Sequence, residues 1–134
     1  MSGETILIVD DESESRATLV AQLARADGYV CIAAANLTEA RVHLATAAPQ
    51  LVVAKDQLGR ERGLDLLPDC GLLIPFVLTT TQPSVELMSA ALAAGARDIL
   101  ILPAPPDRVQ TAVVRALRMA QTLYERDQLR GQID

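Results

Sequence analysis

Five short apolar runs, each followed by a segment with helical spacing, constrain the fold of this chain more than any other feature. The runs are TILIV, YVCIAA, LVVA, IPFVLTT and RDILIL, at residues 5–9, 29–34, 51–54, 74–80 and 97–102. Runs that are apolar almost throughout are typical of strands covered on both faces, which occur in parallel sheets with helices on either side. The sequence therefore predicts an α/β fold built on a five-stranded, doubly wound parallel sheet.

Capping and helix-breaking residues locate the helices between these strands. The expected helices cover residues 15–28, 36–47, 63–67, 83–94 and 106 to beyond 123. Asn36 and Glu39 have the spacing of a capping box, and Pro83 suits the first turn of a helix that ends at Gly95. Pro68 is expected to cut the third helix short, because proline interrupts a helix interior.

The composition narrows the classes of function. A length of 134 residues, half of them hydrophobic, suits one domain. A net charge of −5 argues against a nucleic-acid surface. Because no apolar run reaches the roughly 18 residues of a membrane span and no signal peptide is evident, we expect a cytoplasmic location and no membrane partner. Cys31 and Cys70 lack CxxC spacing and are expected to be buried thiols, and the lone His43 is not expected to be a ligand.

The last predicted helix is longer than the sheet requires. We therefore divide the chain into a domain at residues 1–122 and a helical extension at residues 123–134, which leads toward an output domain absent from this chain. The segment 124–134 is mostly charged, with Leu129 and Ile133 as its apolar marks. Two interpretations of this segment stay open, a helix that leaves the domain as a weak coiled coil and a frayed terminus.

Most residues that follow the predicted strands carry a charge or a hydroxyl group. Asp10, Asp11 and Glu12 follow the first strand, Lys55 and Asp56 the third, and Thr79, Thr80 and Thr81 end the fourth. Leu102 and Pro103 end the fifth strand. Function in a doubly wound sheet lies at the carboxyl ends of the strands, so these residues form the candidate site.

Four segments resemble the response-regulator receiver domain of two-component signalling. They are ILIVDDE, PQLVVAKDQLGRERGLDLL, IPFVLTT and AAGARDILILP. The first resembles the family's opening strand with its acidic pair. The second matches, without gaps, the segment with the phosphoryl-accepting aspartate and a later glycine, here Gly63. The resemblance covers residues 4 to about 122 and implies a flavodoxin-like (βα)5 sandwich with a role in signal transduction and phosphorelay.

Three positions depart from the pattern that this resemblance implies. Lys55 stands where the family has its phosphoacceptor aspartate, Leu102 where it has a lysine, and Ile99 where it has an aromatic switch residue. The retained pocket residues are Asp10, Asp11, Thr80 and Pro103. The resemblance also implies a cis bond between Leu102 and Pro103. The chain is thus identified as an atypical pseudo-receiver without the acceptor aspartate.

Lys55 is expected to lie beside the acids that follow the first strand. Receiver phosphorylation needs a carboxylate nucleophile and a divalent cation, and Mg²⁺ prefers carboxylate oxygens. We expect the ammonium of Lys55 to pair with Asp10 or Asp11 in place of the cation, so no cofactor is required and Mg²⁺ binds weakly if at all. Simpler roles stay open: the side chain of Lys55 extends into solvent, Asp10 and Asp11 cap the first helix, and residues 79–81 cap the helix that follows the fourth strand.

Three functions are compatible with these residues. The first is a phosphorylation-independent signalling module with an output domain or signalling protein as partner. The resemblance implies homodimerisation through the fourth helix, fifth strand and fifth helix, at residues 83–94, 97–102 and 106–122. The second is a working receiver that uses Mg²⁺ and the shifted acceptor Asp56. The third, a phosphohydrolase, is disfavoured because Asp10 and Asp11 are adjacent instead of forming a DxD pattern, so no catalytic residues are expected.

Overall fold

Five parallel strands form the central sheet of the computed structural model, which describes residues 3–133 except for the side chains of residues 25–27 and 121–133. The strands are β1 (Thr5–Val9), β2 (Val30–Ala34), β3 (Leu51–Lys55), β4 (Phe76–Thr80) and β5 (Asp98–Ile101). Their order across the sheet is β2-β1-β3-β4-β5, and every neighbouring pair is parallel. The predicted fold class is confirmed.

Five α-helices cover the two faces of this sheet. They are α1 (Ser13–Asp27), α2 (Leu37–Ala47), α3 (Leu67–Cys70), α4 (Val85–Ala94) and α5 (Pro106–Ile133). Ile6 and Ile8 of β1 lie in the core that includes α1 and α5, whereas Leu7 and Val9 lie in the core that includes α2, α3 and α4. Because alternate residues enter two aliphatic cores, each strand is a continuous apolar run in the sequence.

Two short elements connect β3 to α3. A two-stranded antiparallel hairpin joins Gln57–Leu58 to Glu61–Arg62, and a 3₁₀ turn comes next at Gly63–Leu66. We call the first element the β3–α3 hairpin. It was not predicted from the sequence, because two-residue strands have too few positions to show an alternating pattern. It lies at the carboxyl end of β3 and so contributes to the candidate site.

Two expectations about proline at helix boundaries are wrong. Pro68 lies in the first turn of α3, where a missing N–H removes no helical hydrogen bond, and so it does not end a helix. Ser84, and not Pro83, begins α4, since Ser84 Oγ accepts a hydrogen bond from Leu87 N at 3.0 Å. A hydroxyl cap thus determines this start.

The capping box at the start of α2 is present in a shifted form. Asn36 Oδ1 accepts a hydrogen bond from Glu39 N at 2.9 Å, as expected. The carboxylate of Glu39 accepts its bond from Ala35 N at 2.9 Å, one residue before the cap. The two bonds together fix the direction in which the chain enters α2.

The last helix is continuous across the expected domain boundary. Its backbone is helical from Pro106 to Ile133, so it does not break at residues 122 and 123. The coiled-coil interpretation of the tail depends on side chains outside the described ones and stays a prediction, and Asp134 lies outside the described residues. In the part of the chain that the structure describes, no helix is both long and apolar enough to cross a lipid bilayer.

The two cysteines are free and differ in burial. Cys70 on α3 is buried, and burial together with the negative charge of Asp69 raises the pKa of its thiol to about 12. Cys31 on the edge strand β2 is only half-buried, contrary to the expectation of two buried thiols, and burial raises its pKa as well. Thiols that are protonated at neutral pH are poor nucleophiles, so neither cysteine is a candidate for covalent chemistry.

Candidate functional site

The carboxyl ends of three neighbouring strands bring the candidate residues together. Strands β1, β3 and β4 are adjacent in the sheet, and the acids after β1 therefore lie beside the end of β3. Lys55 is the last residue of β3 and is in register with Thr79 of β4. The parallel topology thus places carboxylates, an ammonium and hydroxyl groups at one edge of the sheet.

Lys55 is the single lysine of the chain, and two acids hold its ammonium. The residue is 8% exposed, and its Nζ lies 2.5 Å from Glu12 Oε1 and 3.4 Å from Asp11 Oδ1. These are charge-assisted hydrogen bonds, which are stronger than neutral ones. Lys55 therefore does not extend into solvent. Glu12 was not among the partners expected from the sequence, although it directly follows the two aspartates and its position was the available signal.

Two opposing effects act on the pKa of Lys55. Burial by itself would lower the pKa, because a buried ammonium loses hydration. The hydrogen bond with Glu12 and the negative charges of Asp10 and Asp11 outweigh burial, so the pKa of Lys55 is raised above its ordinary value. The side chain is therefore a fixed cation at neutral pH, inside an acidic cluster.

Asp10 is fully buried and is bound to the backbone instead of to Lys55. Its Oδ1 accepts a hydrogen bond from Glu12 N at 2.8 Å, and its carbonyl oxygen accepts one from Arg16 Nη1 at 2.6 Å. Its Oδ2 is buried and has no hydrogen-bond partner among the described residues. Of the two aspartates considered from the sequence, Asp11 makes the direct contact with Lys55, whereas Asp10 acts on it through charge.

Asp11 connects Lys55 to the β3–α3 hairpin. Its Oδ1 faces Lys55, and its Oδ2 accepts a hydrogen bond from Gly59 N in the hairpin turn at 3.0 Å. On the second strand of the hairpin, Glu61 Oε1 accepts a hydrogen bond at 3.1 Å from the backbone N of Leu37, the first residue of α2. A set of polar contacts therefore runs from Lys55 through the hairpin to the start of α2.

Gly63 allows the chain to pass close to the end of β3. A Cβ atom at this position would lie 2.0 Å from the backbone carbonyl oxygen of Lys55. The amide of Gly63 donates a hydrogen bond to the carbonyl oxygen of Asp56 at 2.8 Å, which holds the two segments together. Any side chain here would displace the backbone that carries Lys55, so the position requires glycine.

Asp56 lies immediately beyond β3 and lines the candidate cleft. Its amide donates a hydrogen bond to the carbonyl oxygen of Thr79 at 2.8 Å, so the chain still runs alongside β4 at this point. The half-buried Asp56 lines a cleft of about 910 Å³ together with Lys55, Arg62 and Thr80. Because β3 ends at Lys55, strict alternation of side chains no longer directs Asp56 to the opposite face.

The threonines at the end of β4 do not cap the next helix, contrary to one interpretation of the sequence. Ser84 fills that role, whereas Thr80 Oγ1 accepts a hydrogen bond from Gln82 N at 3.1 Å. Thr79 Oγ1 is buried without a hydrogen-bond partner among the described residues. Thr80 and the exposed Thr81 line the cleft and give its β4 wall two hydroxyl groups.

The model of one protein family, described as the response regulator receiver domain, matches residues 6–114 of this chain. The chain belongs to this family. Receiver domains are signalling modules, and the match indicates no family of enzymes. The five-stranded parallel sheet and the acidic cleft at its carboxyl edge are the features of this receiver that the sequence had indicated.

This receiver is similar to parts of longer regulators. The alginate biosynthesis transcriptional regulatory protein AlgB of Pseudomonas putida is 30% identical over 131 residues, which cover 96% of this chain and 29% of AlgB. The phosphate regulon transcriptional regulatory protein PhoB of Pseudomonas aeruginosa is 28% identical over 123 residues, which cover 88% of this chain and 53% of PhoB. The chain thus spans less than a third of AlgB.

Solved structures resemble this receiver over most of its length. NtrX from Brucella abortus, in complex with ATP, superposes with a TM-score of 0.88 at 27% identity and covers 96% of this chain and 30% of NtrX. The signal receiver domain of a LuxO repressor protein from Vibrio parahaemolyticus superposes with a TM-score of 0.79 at 26% identity. That match covers 90% of this chain and 95% of the Vibrio chain, so it compares one receiver domain with another.

The end of β5 contributes apolar groups to this receiver. The half-buried Leu102 packs against the core that includes α1 and α5, and Ile99 is buried in the core on the opposite face. The bond between Leu102 and Pro103 is cis. Among the described residues that line the cleft, none comes from β5 or from the two residues after it.

The acids of this receiver fit a divalent cation poorly. Mg²⁺ prefers several oxygen ligands at short distance. Asp11 already engages Gly59 with one oxygen and Lys55 with the other, and Glu12 is bound to Lys55. In residues 3–133, as far as their side chains are described, no group of three or more His, Cys, Asp or Glu is arranged to hold a metal ion. Weak Mg²⁺ binding at Asp10 and Asp11 stays a prediction.

Proposed function

We propose that this receiver signals without phosphorylation, as a pseudo-receiver that acts through protein contacts within a larger response regulator and catalyses no reaction. The observation that carries the proposal is the ammonium of Lys55, 2.5 Å from Glu12 Oε1 and 3.4 Å from Asp11 Oδ1. Lys55 stands where the family motif has its acceptor aspartate. The chain thus supplies from its own side chain the positive charge that an active receiver takes from a metal ion.

The charges at Lys55 and Leu102, two positions where this chain differs from the family pattern, support this proposal. Phosphoryl transfer needs positive charge around the transferred group, from a metal ion and from fixed cations. Leu102 occupies the place of the family's lysine and offers no charge. A divalent cation in the cleft would either displace Lys55 from Asp11 and Glu12 or bind beside its positive charge. Both routes weaken the binding on which phosphorylation depends.

Phosphorylation chemistry tests the proposal directly. The full chain is incubated with Mg²⁺ and a small phosphodonor such as acetyl phosphate, and its intact mass is measured. We expect no mass increase of one phosphoryl group. The alternative acceptor Asp56 lines the cleft, so Asp56→Asn is the matched variant. A phosphoryl adduct on the wild-type chain that is lost in Asp56→Asn would show a working receiver with a shifted acceptor and would overturn the proposal.

We also propose that two copies of the chain associate through the face formed by α4, β5 and α5. This face has exposed apolar side chains on all three elements, namely Val85, Met88, Leu92, Ile101 and Met119. Ala90, Ala93 and Ala94 of α4 are exposed as well, whereas Ala91 is buried in the core. Small residues between larger apolar ones allow a second helix to approach closely, which supports a homodimer at this face.

A pair of matched variants tests this interface. Leu92 on α4 is 59% exposed and Val42 on α2 is 55% exposed, so an aspartate at either position costs the monomer little. Sedimentation velocity should show a weakened dimer for Leu92→Asp and an unchanged one for Val42→Asp. A wild-type chain that stays monomeric at high micromolar concentration, or equal behaviour of the two variants, would contradict the proposed face.

The partner of this receiver is proposed to be an output domain on the same polypeptide. AlgB and PhoB are transcriptional regulatory proteins and are both longer than the matched segment. The backbone of α5 continues as a helix to Ile133, beyond the last described residues that pack in the core, Ala116 and Leu117, and this supports a role in linking the receiver to a second domain. With a net charge of −5, the receiver itself is not proposed to contact nucleic acid.

A further inference from the structure

Polar contacts lead from the ammonium of Lys55 to the start of α2 by way of the β3–α3 hairpin. Asp11 Oδ1 lies 3.4 Å from Lys55 Nζ, and Asp11 Oδ2 accepts a hydrogen bond from Gly59 N in the hairpin turn at 3.0 Å. Glu61, on the second strand of the hairpin, accepts a hydrogen bond from Leu37 N at 3.1 Å. These three contacts join segments that are 24 to 48 residues apart in the sequence.

The hairpin is a small unit whose two ends shift together. Its strands, Gln57–Leu58 and Glu61–Arg62, pair with each other and form a sheet separate from the central one. Leu58 is 3% exposed in the core that includes α2, and it pairs directly with Glu61. Only one residue separates Glu61 from Gly59 along the chain. A displacement of the turn therefore carries Glu61 with it.

The start of α2 depends on this carboxylate from outside the helix. The N–H of Leu37 is among the first amides of a helix, which have no acceptor within the helix itself. The local cap does not serve it, because Asn36 Oδ1 accepts its hydrogen bond from Glu39 N. Glu61 supplies the acceptor, and its negative charge is favourable at a helix amino terminus. The position of the hairpin thus bears on how firmly α2 begins.

We propose that the β3–α3 hairpin couples Asp11, and with it the ion pair of Lys55, to the start of α2. A change in the cleft that draws Asp11 away from Gly59 releases the hairpin turn. Glu61 then moves with the turn, and its bond to α2 is lost. None of the described residues that line the cleft belongs to β5, and this route leads toward β1 and α2, on the other side of β3. The inference rests on the role proposed for Lys55 and names where a change in the cleft is read.

Exchange of amide protons with solvent, measured by NMR on the full chain, tests the coupling. Glu61→Ala removes the acceptor, so the Leu37 amide should exchange about fivefold faster, the factor expected for one hydrogen bond. Asp11→Ala should raise the same rate by a similar factor, and the double variant should show no further increase. The amide of Ala40, bonded to the carbonyl oxygen of Asn36 at 3.0 Å, is the internal reference and should keep its rate.

Two matched variants separate the hairpin route from a loss of charge. Asp11→Asn loses the same charge as Asp11→Ala but keeps an acceptor for Gly59 N, so its Leu37 rate should stay close to that of the wild type. Asp69→Ala breaks the 3.0 Å ion pair with Arg41 on α2 and should also leave the Leu37 rate unchanged. Equal Leu37 rates in Asp11→Asn and Asp11→Ala, or no increase in Asp11→Ala, would overturn the inference.

A reciprocal measurement covers the case in which Asp11→Ala does not fold. Coupling between two sites acts in both directions, so Asn36→Ala, which removes the cap of α2, should raise the exchange rate of the Gly59 amide at least about twofold. An unchanged Gly59 rate would contradict the coupling. A phosphoryl adduct on the wild-type chain would overturn the proposed function and leave these rates as expected, so the two failures can be told apart.

Discussion

Replacement of Lys55 by methionine should strengthen divalent cation binding at the acids that follow β1. Methionine keeps a long apolar side chain at a position that is 8% exposed, and it removes the ammonium. Asp11 Oδ1 and Glu12 Oε1 then lose the partner that holds them at 3.4 and 2.5 Å, respectively. Asp10 Oδ2, buried and without a hydrogen-bond partner among the described residues, lies in the same acidic cluster.

The size of the effect can be calculated from the charges. A divalent cation about 4 Å from the ammonium is repelled by about 2 kcal/mol even at the dielectric constant of water. Removal of the ammonium should therefore increase Mg²⁺ affinity by at least about 30-fold, because each 1.4 kcal/mol is roughly a factor of ten. In the variant, Mg²⁺ also does not have to displace the Lys55 ammonium from the acids, so the increase of about 30-fold in affinity is a lower limit.

Titration with MgCl₂ at constant ionic strength measures the effect, with the amides of Asp11, Glu12 and Gly59 as reporters. The wild-type chain should show no saturable shift in the millimolar range, whereas Lys55→Met should saturate there. Arg62→Met is the matched control, because Arg62 also lines the cleft and its loss changes the net charge equally. Its affinity should stay close to that of the wild type.

Two results would refute the reasoning. The first is saturable Mg²⁺ binding to the wild-type acids, which would mean that Lys55 does not take the place of a cation. The second is an equal gain in Lys55→Met and Arg62→Met, which would assign the effect to overall charge and not to the ion pair.

Three further perturbations probe the same geometry. Gly63→Ala should lower the free energy of unfolding in urea by about 3 kcal/mol or more, because the added Cβ would overlap the backbone carbonyl of Lys55. Gly59→Ala is the control: its Cβ would meet open space, and the φ of 65° should cost only about 1–2 kcal/mol. Equal losses in the two variants would contradict the close approach of Gly63. The raised pKa of Lys55 means that its ion pairs stabilise the fold fully below the ordinary lysine pKa of about 10.4 and lose that effect as the pH rises through the raised value. The free energy of unfolding should therefore fall more steeply at alkaline pH in the wild type than in Lys55→Met, and parallel curves would exclude the raised pKa. Because Lys55 is the single lysine, reductive methylation should label it more slowly in the folded chain than in urea, as measured by peptide mass spectrometry, and equal rates would show an accessible amine.

The fold could be predicted from the sequence because its strands are buried on both faces. Ile6, Leu7, Ile8 and Val9 belong alternately to two cores, so no polar residue interrupts the run, and this pattern has few alternatives to a parallel sheet. The sequence predicted the ends of the strands less accurately than their order along the chain. Pro75, for example, was expected inside the fourth strand, but β4 begins at Phe76, although the carbonyl oxygen of Pro75 still accepts a hydrogen bond from Val52 N at 3.0 Å.

The residues that form the cleft could be predicted from the sequence, whereas the contacts between their side chains could not. The topology alone places Lys55 near the acids after β1, since β1 and β3 are neighbours. Which acid contacts the ammonium depends on local geometry: the carboxylate of Asp10 turns back to the amide of Glu12, and the side chain of Glu12 is then directed to Lys55. Such turns depend on dihedral angles that residue spacing does not encode. The contact of Asp11 with Gly59 was missed for the same reason, because it required the hairpin.

The close approach of Gly63 to the carbonyl oxygen of Lys55 has a consequence for experiments on this chain. The main chain at residue 55 is held by Gly63 and by pairing with β4, so we expect its position to change little when the side chain there is exchanged. Acidic, neutral and basic residues can therefore be exchanged at this one point on a common backbone. The chain is thus suited to a direct comparison of how charge alone, without a change of framework, determines which ions a receiver cleft accepts.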